Sequence, residues 1–474
     1  LIDCGVEVNT MAWAEEVAPL HTAVELGQGE VLQCLINAAA NVNVTGRNGW
    51  TPLFLAARAG SYPTLARLLG ARADLNQAAE HGEAPLFIAA QHGNLDMVRC
   101  LVTAGADKDQ AADDGLTPLL IAALSNQWST FRYLVQASAD LQLAAMDGAT
   151  PLTVATQSGS LADVRLLVAA RADVDVDGFG NGGTPLYVAA KHGQLELVRF
   201  LVQARADKDK AGKNGATPLF VAAKYDQLSS VQYLIEARAD KDKTGHHGAS
   251  PLFIAAKYGQ VDMVRFLIAA RANKDTTGPT GATPLLVAVQ SGKTDTVSAL
   301  VEASVDLDRP GLHGATALFS AAQDGHLRIV RCLVHARADM NLPAEDGATP
   351  LFIAAQSGHL QTVRFLATQC ADLNKVGQHG ATALFIAVLS GQTDMVRVLV
   401  EVRSNLDMPG KDGATPLYVA AQHGNVDMVR CLCEAGADTE RLAENGQSAL
   451  AVASASGSQE LLEILASAER AQKK

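Results

Sequence analysis

A unit of 33 residues recurs along the whole chain, and this period constrains the fold more than any other feature. The tripeptide Thr-Pro-Leu, or a close variant, begins at Ala18, Thr51, Ala84, Thr117, Thr150, Thr184, Thr217, Ser250, Thr283, Thr316, Thr349, Thr382, Thr415 and Ser448. Every interval is 33 residues except the 34 between Thr150 and Thr184. A fixed period of this length indicates stacked structural repeats. No segment interrupts the register, so we expect no separate globular domain.

The conserved positions within each copy predict a short first helix. Thr or Ser caps a helix with its hydroxyl, and Pro suits the first helical position because its missing N–H has no helical partner there. All fourteen copies have Ala five residues after the start, which lets neighbouring helices approach closely. Twelve copies have Gly nine residues after the start, which predicts a left-handed helix end. Asn126 and Asp226 replace it with residue types that tolerate that conformation.

A second helix and a tight turn complete the repeat. Apolar residues follow at helical spacing, as in Leu195, Val198 and Leu201. Thirteen copies have Gly two residues before the next start, preceded by turn-forming residues, which indicates a hairpin turn. A single helix pair cannot bury its apolar face, so neighbouring copies must stack. The sequence therefore predicts an all-α repeat solenoid.

Nine copies carry Arg fifteen residues after the start, on the second helix. Several of these have an acid three residues earlier, as in Glu196–Arg199 and Asp427–Arg430. We expect solvated i,i+3 ion pairs on an outer face, each contributing a few tenths of a kcal/mol at most.

Composition excludes several classes of function. The net charge of −12 argues against nucleic-acid binding through bulk charge. The sequence has no run of 18 apolar residues, so it predicts no membrane-spanning helix. Seven scattered cysteines do not indicate a disulfide framework. Four of them share one repeat position and are interpreted as small core hydrophobes: Cys34, Cys100, Cys332 and Cys431. Reduced thiols favour an intracellular location, with the cytoplasm preferred and the nucleus open.

The repeat resembles the ankyrin repeat. Asp412–Gly424 reads Asp-Gly-Ala-Thr-Pro-Leu-Tyr-Val-Ala-Ala-Gln-His-Gly, and Gly436-Ala437-Asp438 closes the same copy. The Asp lies one place nearer the Gly than in the family pattern. The resemblance covers essentially the whole chain and implies a curved stack of antiparallel helix pairs with short β-hairpin or turn linkers. It also implies partners bound on the concave face. The near-identical copies are similar to the homogenised arrays of repeat-rich protist or algal proteins.

Two departures from the family pattern are systematic. The family His after Pro-Leu occurs only as His21, and most other copies have an aromatic residue or Leu there, so we expect apolar packing to replace its hydrogen bonds. The Gly of Gly-Ala-Asp is Arg in seven copies: Arg72, Arg171, Arg205, Arg238, Arg271, Arg337 and Arg403. If this site stays left-handed, each Arg costs up to about 1 kcal/mol relative to Gly. A reshaped helix end is the alternative.

The ends differ from the middle. Residues 1–12 resemble the tail of a truncated preceding repeat, although Met11 is also a possible initiator. We therefore predict a single array of fourteen repeats over residues 13–474, ending in a polar C-terminal cap.

The 34-residue copy contains two motifs that could indicate a ligand site. Gly178–Gly183 fits the dinucleotide-binding pattern G-x-G-x-x-G, but it lies in a linker where every copy is Gly-rich. Asp173, Asp175 and Asp177 match the opening of a calcium loop, but Thr184 stands where the bidentate Glu should be. Asp173 and Asp175 also have equivalents in other copies. We predict no metal site and no cofactor, with these three aspartates as a weak calcium candidate. No Ser/His/Asp or Cys/His set emerges, so we predict no enzyme.

A basic, aromatic segment near the middle of the chain is the candidate partner surface. The seventh and eighth residues of three successive copies are Lys191 and His192, Lys224 and Tyr225, and Lys257 and Tyr258. Residues 191–274 contain fourteen Lys and Arg against eight Asp and Glu, a net charge of +6 in a chain of −12. An acidic or phosphorylated protein segment would suit this surface. Drift among near-identical copies is the alternative. Trp50, beside a hairpin tip, is a second candidate anchor, with turn packing as its alternative.

These observations predict a monomeric, non-catalytic scaffold or adaptor that binds other proteins on its concave face and hairpin tips, with no nucleic-acid partner. The alternative is a targeting module of a larger protein whose effector domain lies N-terminal to this sequence.

Overall fold

The computed structural model describes residues 8–10, 17–178, 180, 182–377 and 380–473. The chain divides into two compact units, Leu1–Asp240 and Lys241–Lys474, and each is treated by itself below. The described residues contain no β-strand, only helices, turns and isolated bridges such as Gly178 with Gly183. The predicted all-α repeat fold is confirmed, and the linkers are tight turns.

The first unit contains seven helix pairs. Its first helices are α1 (Pro19–Glu25), α3 (Pro52–Ala59), α5 (Pro85–Gln91), α7 (Pro118–Leu124), α9 (Pro151–Gln157), α11 (Pro185–Lys191) and α13 (Pro218–Lys224). Its second helices are α2 (Gly29–Asn37), α4 (Tyr62–Gly70), α6 (Leu95–Thr103), α8 (Trp128–Gln136), α10 (Leu161–Ala169), α12 (Leu195–Gln203) and α14 (Leu228–Glu236).

The second unit also contains seven pairs. Its first helices are α15 (Pro251–Tyr258), α17 (Pro284–Gln290), α19 (Ala317–Gln323), α21 (Pro350–Gln356), α23 (Ala383–Leu389), α25 (Pro416–Gln422) and α27 (Ala449–Ser456). Its second helices are α16 (Val261–Ala269), α18 (Thr294–Glu302), α20 (Leu327–His335), α22 (Leu360–Thr368), α24 (Thr393–Glu401), α26 (Val426–Glu434) and α28 (Gln459–Gln472). Among the described residues, short 3-10 turns precede first helices at Arg47–Gly49, His246–Gly248 and Leu312–Gly314. The single array from residue 13 with a polar cap remains a prediction.

The first helices begin and end as their residue types predict. The Thr217 hydroxyl accepts a hydrogen bond from the Phe220 amide at 3.1 Å, and most Thr and Ser starts form the same cap. At the other end Gly60 is left-handed with a φ of 69°. Asn126 and Asp226 adopt φ values of 58° and 59° at the equivalent position. The prediction that these two residue types keep the left-handed helix end is confirmed.

Small residues allow the first helices to pack closely. The Ala five residues after each start is at most 4% exposed in every copy. In the first unit, α11 contacts α9 and α13 through this surface as well as its own second helix α12. Leu and Val side chains of the second helix, such as Val198 and Leu201, are fully buried against it. The core therefore runs through each unit between consecutive repeats.

A column of Asp and Asn side chains, the Asp/Asn column, joins consecutive linkers by accepting hydrogen bonds from main-chain amides. The Asp109 carboxylate accepts a hydrogen bond from the Asp140 amide of the next repeat at 2.7 Å. Within a repeat, the Asp140 carboxylate in turn accepts from the Gln142 amide at 2.8 Å. The same inter-repeat bond recurs at Asn9–Asn41, Asn43–Asp74, Asn76–Asp107, Asp175–Asp207 and Asp209–Asp240 in the first unit, and at Asp242–Asn273, Asp308–Asp339, Asn341–Asp372, Asn374–Asn405 and Asp407–Asp438 in the second.

The outer arginines link repeats more than the i,i+3 interpretation predicts. Arg199 lies 3.9 Å from Glu196 as expected, but its guanidinium also lies over the Tyr233 ring of the next repeat, 5.1 Å from the centroid. Arg430 pairs with Glu460 of the next repeat at 3.0 Å. The predicted partner Asp427 was wrong, because the acid one repeat further along lies closer to the guanidinium.

The four aligned cysteines are not core residues. Cys34 is exposed, and Cys100, Cys332 and Cys431 are only half-buried. In other copies Ala299 and Val398 occupy this position and are 3% exposed, so burial there varies from repeat to repeat. Each described cysteine has a free thiol. Within the described ranges, the helices are too short or too polar to cross a membrane.

The seven arginines that replace the Gly of Gly-Ala-Asp are all left-handed, with φ values between 59° and 72°. The reshaped helix end considered above does not occur. Replacing Arg205 by Gly should therefore stabilise the protein by up to about 1 kcal/mol, because Gly has no Cβ to clash in this conformation. Urea unfolding would measure the change.

The reverse substitution is the matched control for Arg205. Gly436 occupies the same repeat position with a φ of 92°, and an added Cβ would meet no atom within 4 Å. Gly436→Arg should lower the free energy of unfolding by a similar amount. Equal stability of both variants and the parent would contradict the account.

Removing one acceptor of the Asp/Asn column should weaken the contact between two repeats. Asp109→Ala leaves the Asp140 amide without its 2.7 Å acceptor, and the expected loss is about 1 kcal/mol. Gln142→Ala is the control, because Gln142 occupies the equivalent position and makes only a 3.5 Å contact to the Arg171 carbonyl. Thermal unfolding of both variants would show a loss for Asp109→Ala alone.

Candidate partner-binding site

Two lysines flank one tyrosine at the ends of α11 and α13. Lys191 and Lys224 are the last residues of these helices, and Tyr225 follows Lys224 directly. The Lys191 Nζ lies 5.6 Å from the Tyr225 ring centroid, and the Lys224 Nζ lies 5.5 Å from it. Tyr225 is 45% exposed, a large value for an aromatic ring. The structure thus brings three of the predicted residues together on one surface of the first unit.

The titratable groups next to the two lysines are neutral, so they add no charge to this basic surface. Burial, followed by the charge of Lys191, lowers the pKa of His192 below its usual value. At neutral pH the imidazole is therefore neutral, and the positive charge comes from the lysines. Burial, followed by the influence of Tyr225, raises the pKa of Tyr187, so its hydroxyl remains protonated.

The other two residues of the predicted surface belong to the second unit. Lys257 and Tyr258 are the last two residues of α15, before the left-handed Gly259. Tyr258 is 48% exposed. They repeat within their own unit the arrangement of Lys224 and Tyr225 at a helix end.

Trp50 packs against its own unit. Its ring stacks on Phe54 with 5.7 Å between centroids and 12° between planes, and the Arg58 guanidinium lies 4.3 Å from its centroid. The Trp50 carbonyl is bonded to Nε2 of His21 at 3.0 Å. A cavity of about 280 Å³ beside these residues is open to a partner side chain.

The three calcium-candidate aspartates have partners within the chain. Asp173 accepts a hydrogen bond from the Asp175 amide, and Asp175 accepts one from the Asp207 amide, as members of the Asp/Asn column. Asp177 forms an ion pair with Lys210 at 2.9 Å, which raises the pKa of the lysine. In the described ranges, no three His, Cys, Asp or Glu side chains are grouped in a way that could hold a metal.

The Gly-rich motif of the same copy is described only in part. Gly178 and Gly183 close the linker turn through a hydrogen bond of 3.2 Å between the Gly178 amide and the Gly183 carbonyl. Phe179 and Asn181 lie outside the described residues.

Comparison with known proteins agrees with the repeat geometry. The family model described as "Ankyrin repeats (3 copies)" matches eight segments that together leave only residues 246–251 uncovered: residues 1–79, 58–145, 86–178, 136–213, 171–245, 252–344, 318–409 and 402–474. The chain belongs to the ankyrin-repeat family. No curated protein matches it in sequence. Among solved structures it is similar to the ankyrin repeat domain of Bcl-3, described as a unique member of the IkappaB protein family. That similarity has 27% identity and a TM-score of 0.44, and covers 47% of this chain and all of that one.

One apolar surface of these ankyrin repeats was missed by sequence reasoning. A groove in the second unit lies beside α23 and α25, and Leu389 at the end of α23 is 48% exposed within it. The available signal was the residue type, because Leu389 stands where the adjacent repeats have Gln356 and Gln422.

His21 should make the first ankyrin repeat sensitive to acid. The ring is 2% exposed, its Nδ1 accepts from the Ala18 amide at 3.2 Å, and its protonated Nε2 therefore donates to the Trp50 carbonyl. Burial lowers the pKa of His21 below 6.5 despite these bonds. The unfolded state then takes up the proton first as the pH falls. Stability is complete above the unfolded pKa and decreases as the pH falls from there toward the lower folded pKa.

Unfolding measured between about pH 8 and pH 5 tests this, with His21→Phe as the control. Phe occupies the same position in neighbouring repeats, as Phe54 and Phe87, and does not titrate. The variant should lose part of the decrease in stability toward low pH. A pH dependence unchanged by the substitution would count against the assignment.

Proposed function

We propose that this chain is a non-catalytic scaffold or adaptor that binds acidic or phosphorylated segments of other proteins. Ankyrin repeats are protein–protein interaction modules, and the family match spans nearly the whole chain. The proposal places the partner on the concave face implied by the family and on the hairpin tips.

The main support for the proposal is that the ammonium groups of Lys191 and Lys224 both lie against the Tyr225 ring. The negative face of an aromatic ring attracts an ammonium group, and each such contact contributes about 0.5–1 kcal/mol at an exposed site. Lys191 and Lys224 both lie within 6 Å of this one ring. Two long side chains are thereby restrained before a partner arrives, which reduces the entropy lost on binding.

The restrained ammonium groups suit an anionic ligand. Each has three N–H donors, and a carboxylate or phosphate accepts charge-assisted hydrogen bonds from them. The exposed Tyr225 ring adds an apolar contact of the kind that anchors interfaces. The proposal also includes His192 on this surface, Lys257 and Tyr258 as a basic surface of the second unit, and Trp50 as a second anchor.

Local charge supports the same preference. Residues 191–274 carry +6 although the chain as a whole carries −12. A positive region in an acidic protein attracts anionic partners, while the acidic remainder repels them, so such partners are directed to this region. The proposal further takes the protein to be an intracellular, cytoplasmic monomer.

Charge reversal at the two lysines tests the proposed surface. The intact chain and its Lys191→Glu/Lys224→Glu variant would be used as bait, and captured proteins compared by quantitative mass spectrometry. The affinity of a captured partner should then fall at least about ten-fold in the variant, because two charge-assisted contacts are replaced by repulsion.

The control is a double variant with the same change of charge elsewhere. Arg328 and Arg441 are both exposed and lie outside the proposed surface. Arg328→Glu/Arg441→Glu should keep the parent affinity. Full affinity in the Lys191→Glu/Lys224→Glu variant, or in one that also carries Lys257→Glu, would refute the proposed surface.

The alternative function is a targeting module for an effector domain located N-terminal to this sequence. It predicts the same binding surface but an additional activity in the complete gene product. Sequencing the full transcript distinguishes the two.

A further inference from the structure

The second unit contains a groove whose chemistry differs from that of the lysine–tyrosine surface. The groove has a volume of about 860 Å³ and lies between the first helices and the linkers of the repeats that begin at Thr349, Thr382 and Thr415. Its apolar lining includes Phe385, Ile386, Leu389, Tyr418 and Val419. It therefore spans the width of three repeats along one surface.

Its apolar residues are more exposed than their equivalents in the preceding repeat. Phe352 and Ile353 are 2% and 9% exposed, whereas Phe385 and Ile386, the same residue types at the same positions, are only half-buried. Leu389 is 48% exposed. Since Gln serves this position in the adjacent repeats, stacking does not require Leu there.

The linker side of the groove has a negative balance of charge. Asp412, Glu444 and Lys411 line it, two carboxylates against one ammonium. No ion pair to a described residue neutralises these three groups. The Asn445 amide donates to the Tyr418 hydroxyl at 2.9 Å, which holds the tyrosine ring in the wall.

We propose that this groove binds a segment of a partner protein with a Leu- or Phe-type anchor beside a Lys or Arg. The apolar floor takes the anchor side chain, and Asp412 and Glu444 take the basic one. A protein segment fits better than a small molecule, because the half-exposed floor leaves one side of any ligand in water. The site prefers the opposite charge from the Lys191–Tyr225–Lys224 surface, so either proposal can fail while the other stands.

Short fluorescein-labelled peptides with a Gly/Ser background provide the probe. One set carries Leu beside Lys, a second carries Leu beside Glu, and a third carries Ser beside Lys. Fluorescence anisotropy with the full chain should show that the Leu–Lys set binds at least about ten-fold more tightly than the other two. Leu389→Gln should remove this preference, and its fold should be retained because Gln is the native residue in adjacent repeats.

Leu124→Gln is the matched control. Leu124 ends α7 at the same repeat position and is 45% exposed, but it belongs to the first unit. This variant should bind the Leu–Lys peptides as the parent does. The proposal is overturned if no set binds, if the Leu–Glu set binds equally well, or if Leu389→Gln has no effect. It is also overturned if sedimentation shows that Leu389 mediates self-association, because a second copy would then occupy the groove.

Discussion

The burial of one alanine between successive first helices is the contact on which the rest of each unit depends. In every copy this alanine is almost completely buried, and a larger side chain would separate the helices that meet there. The spacing set by this contact brings each linker within hydrogen-bonding distance of the next one. It also places the arginine of one second helix over the aromatic ring of the following repeat. Two different kinds of contact between repeats thus rely on one small residue.

The same contact determines where function can reside. The alanine, the leucines and the capping threonine are required for stacking, so they scarcely vary. Residues at the C-terminal end of each first helix are not needed for it and range from Gln to Lys to Leu. At this position Lys191 and Lys224 both lie against the Tyr225 ring, and Leu389 extends an apolar groove. The two proposed surfaces, which prefer ligands of opposite charge, thus differ through substitutions at one repeat position.

Most of the fold could be predicted because its signals are local and repeated fourteen times. The Thr217 cap and the left-handed Asn126 and Asp226 follow from the preferences of single residues. The conformation of the seven arginines that replace Gly was harder to predict, since the backbone preference of Arg also allowed a reshaped helix end. Their left-handed φ accompanies the bonds that close the end of the second helix, as from the Arg205 amide to the Val202 carbonyl and from the Ala206 amide to the Leu201 carbonyl.

The sequence-based predictions failed where the contacts of a side chain depend on which neighbouring residues lie nearest to it. Period alone placed Asp427 beside Arg430, but Glu460 of the next repeat is the partner. The cysteines occupy a helical position that is buried in some copies, as at Ala299 and Val398, but is exposed or only partly covered where Cys stands. The groove at Leu389 depends on how far Phe385 is covered by its surroundings, and no residue type reports that. The sequence did predict the lysines and Tyr225, because their position is set by the repeat register.

The Asp/Asn column has a consequence for how such a protein changes over generations. Each acceptor bonds to a main-chain amide of the following repeat, and an amide is present whatever side chain that repeat carries there. A copy that carries Asp or Asn at the acceptor position can therefore be duplicated, deleted or exchanged with another such copy without losing this hydrogen bond. Recombination between near-identical copies then alters the number and order of binding surfaces while leaving the joints between repeats chemically the same.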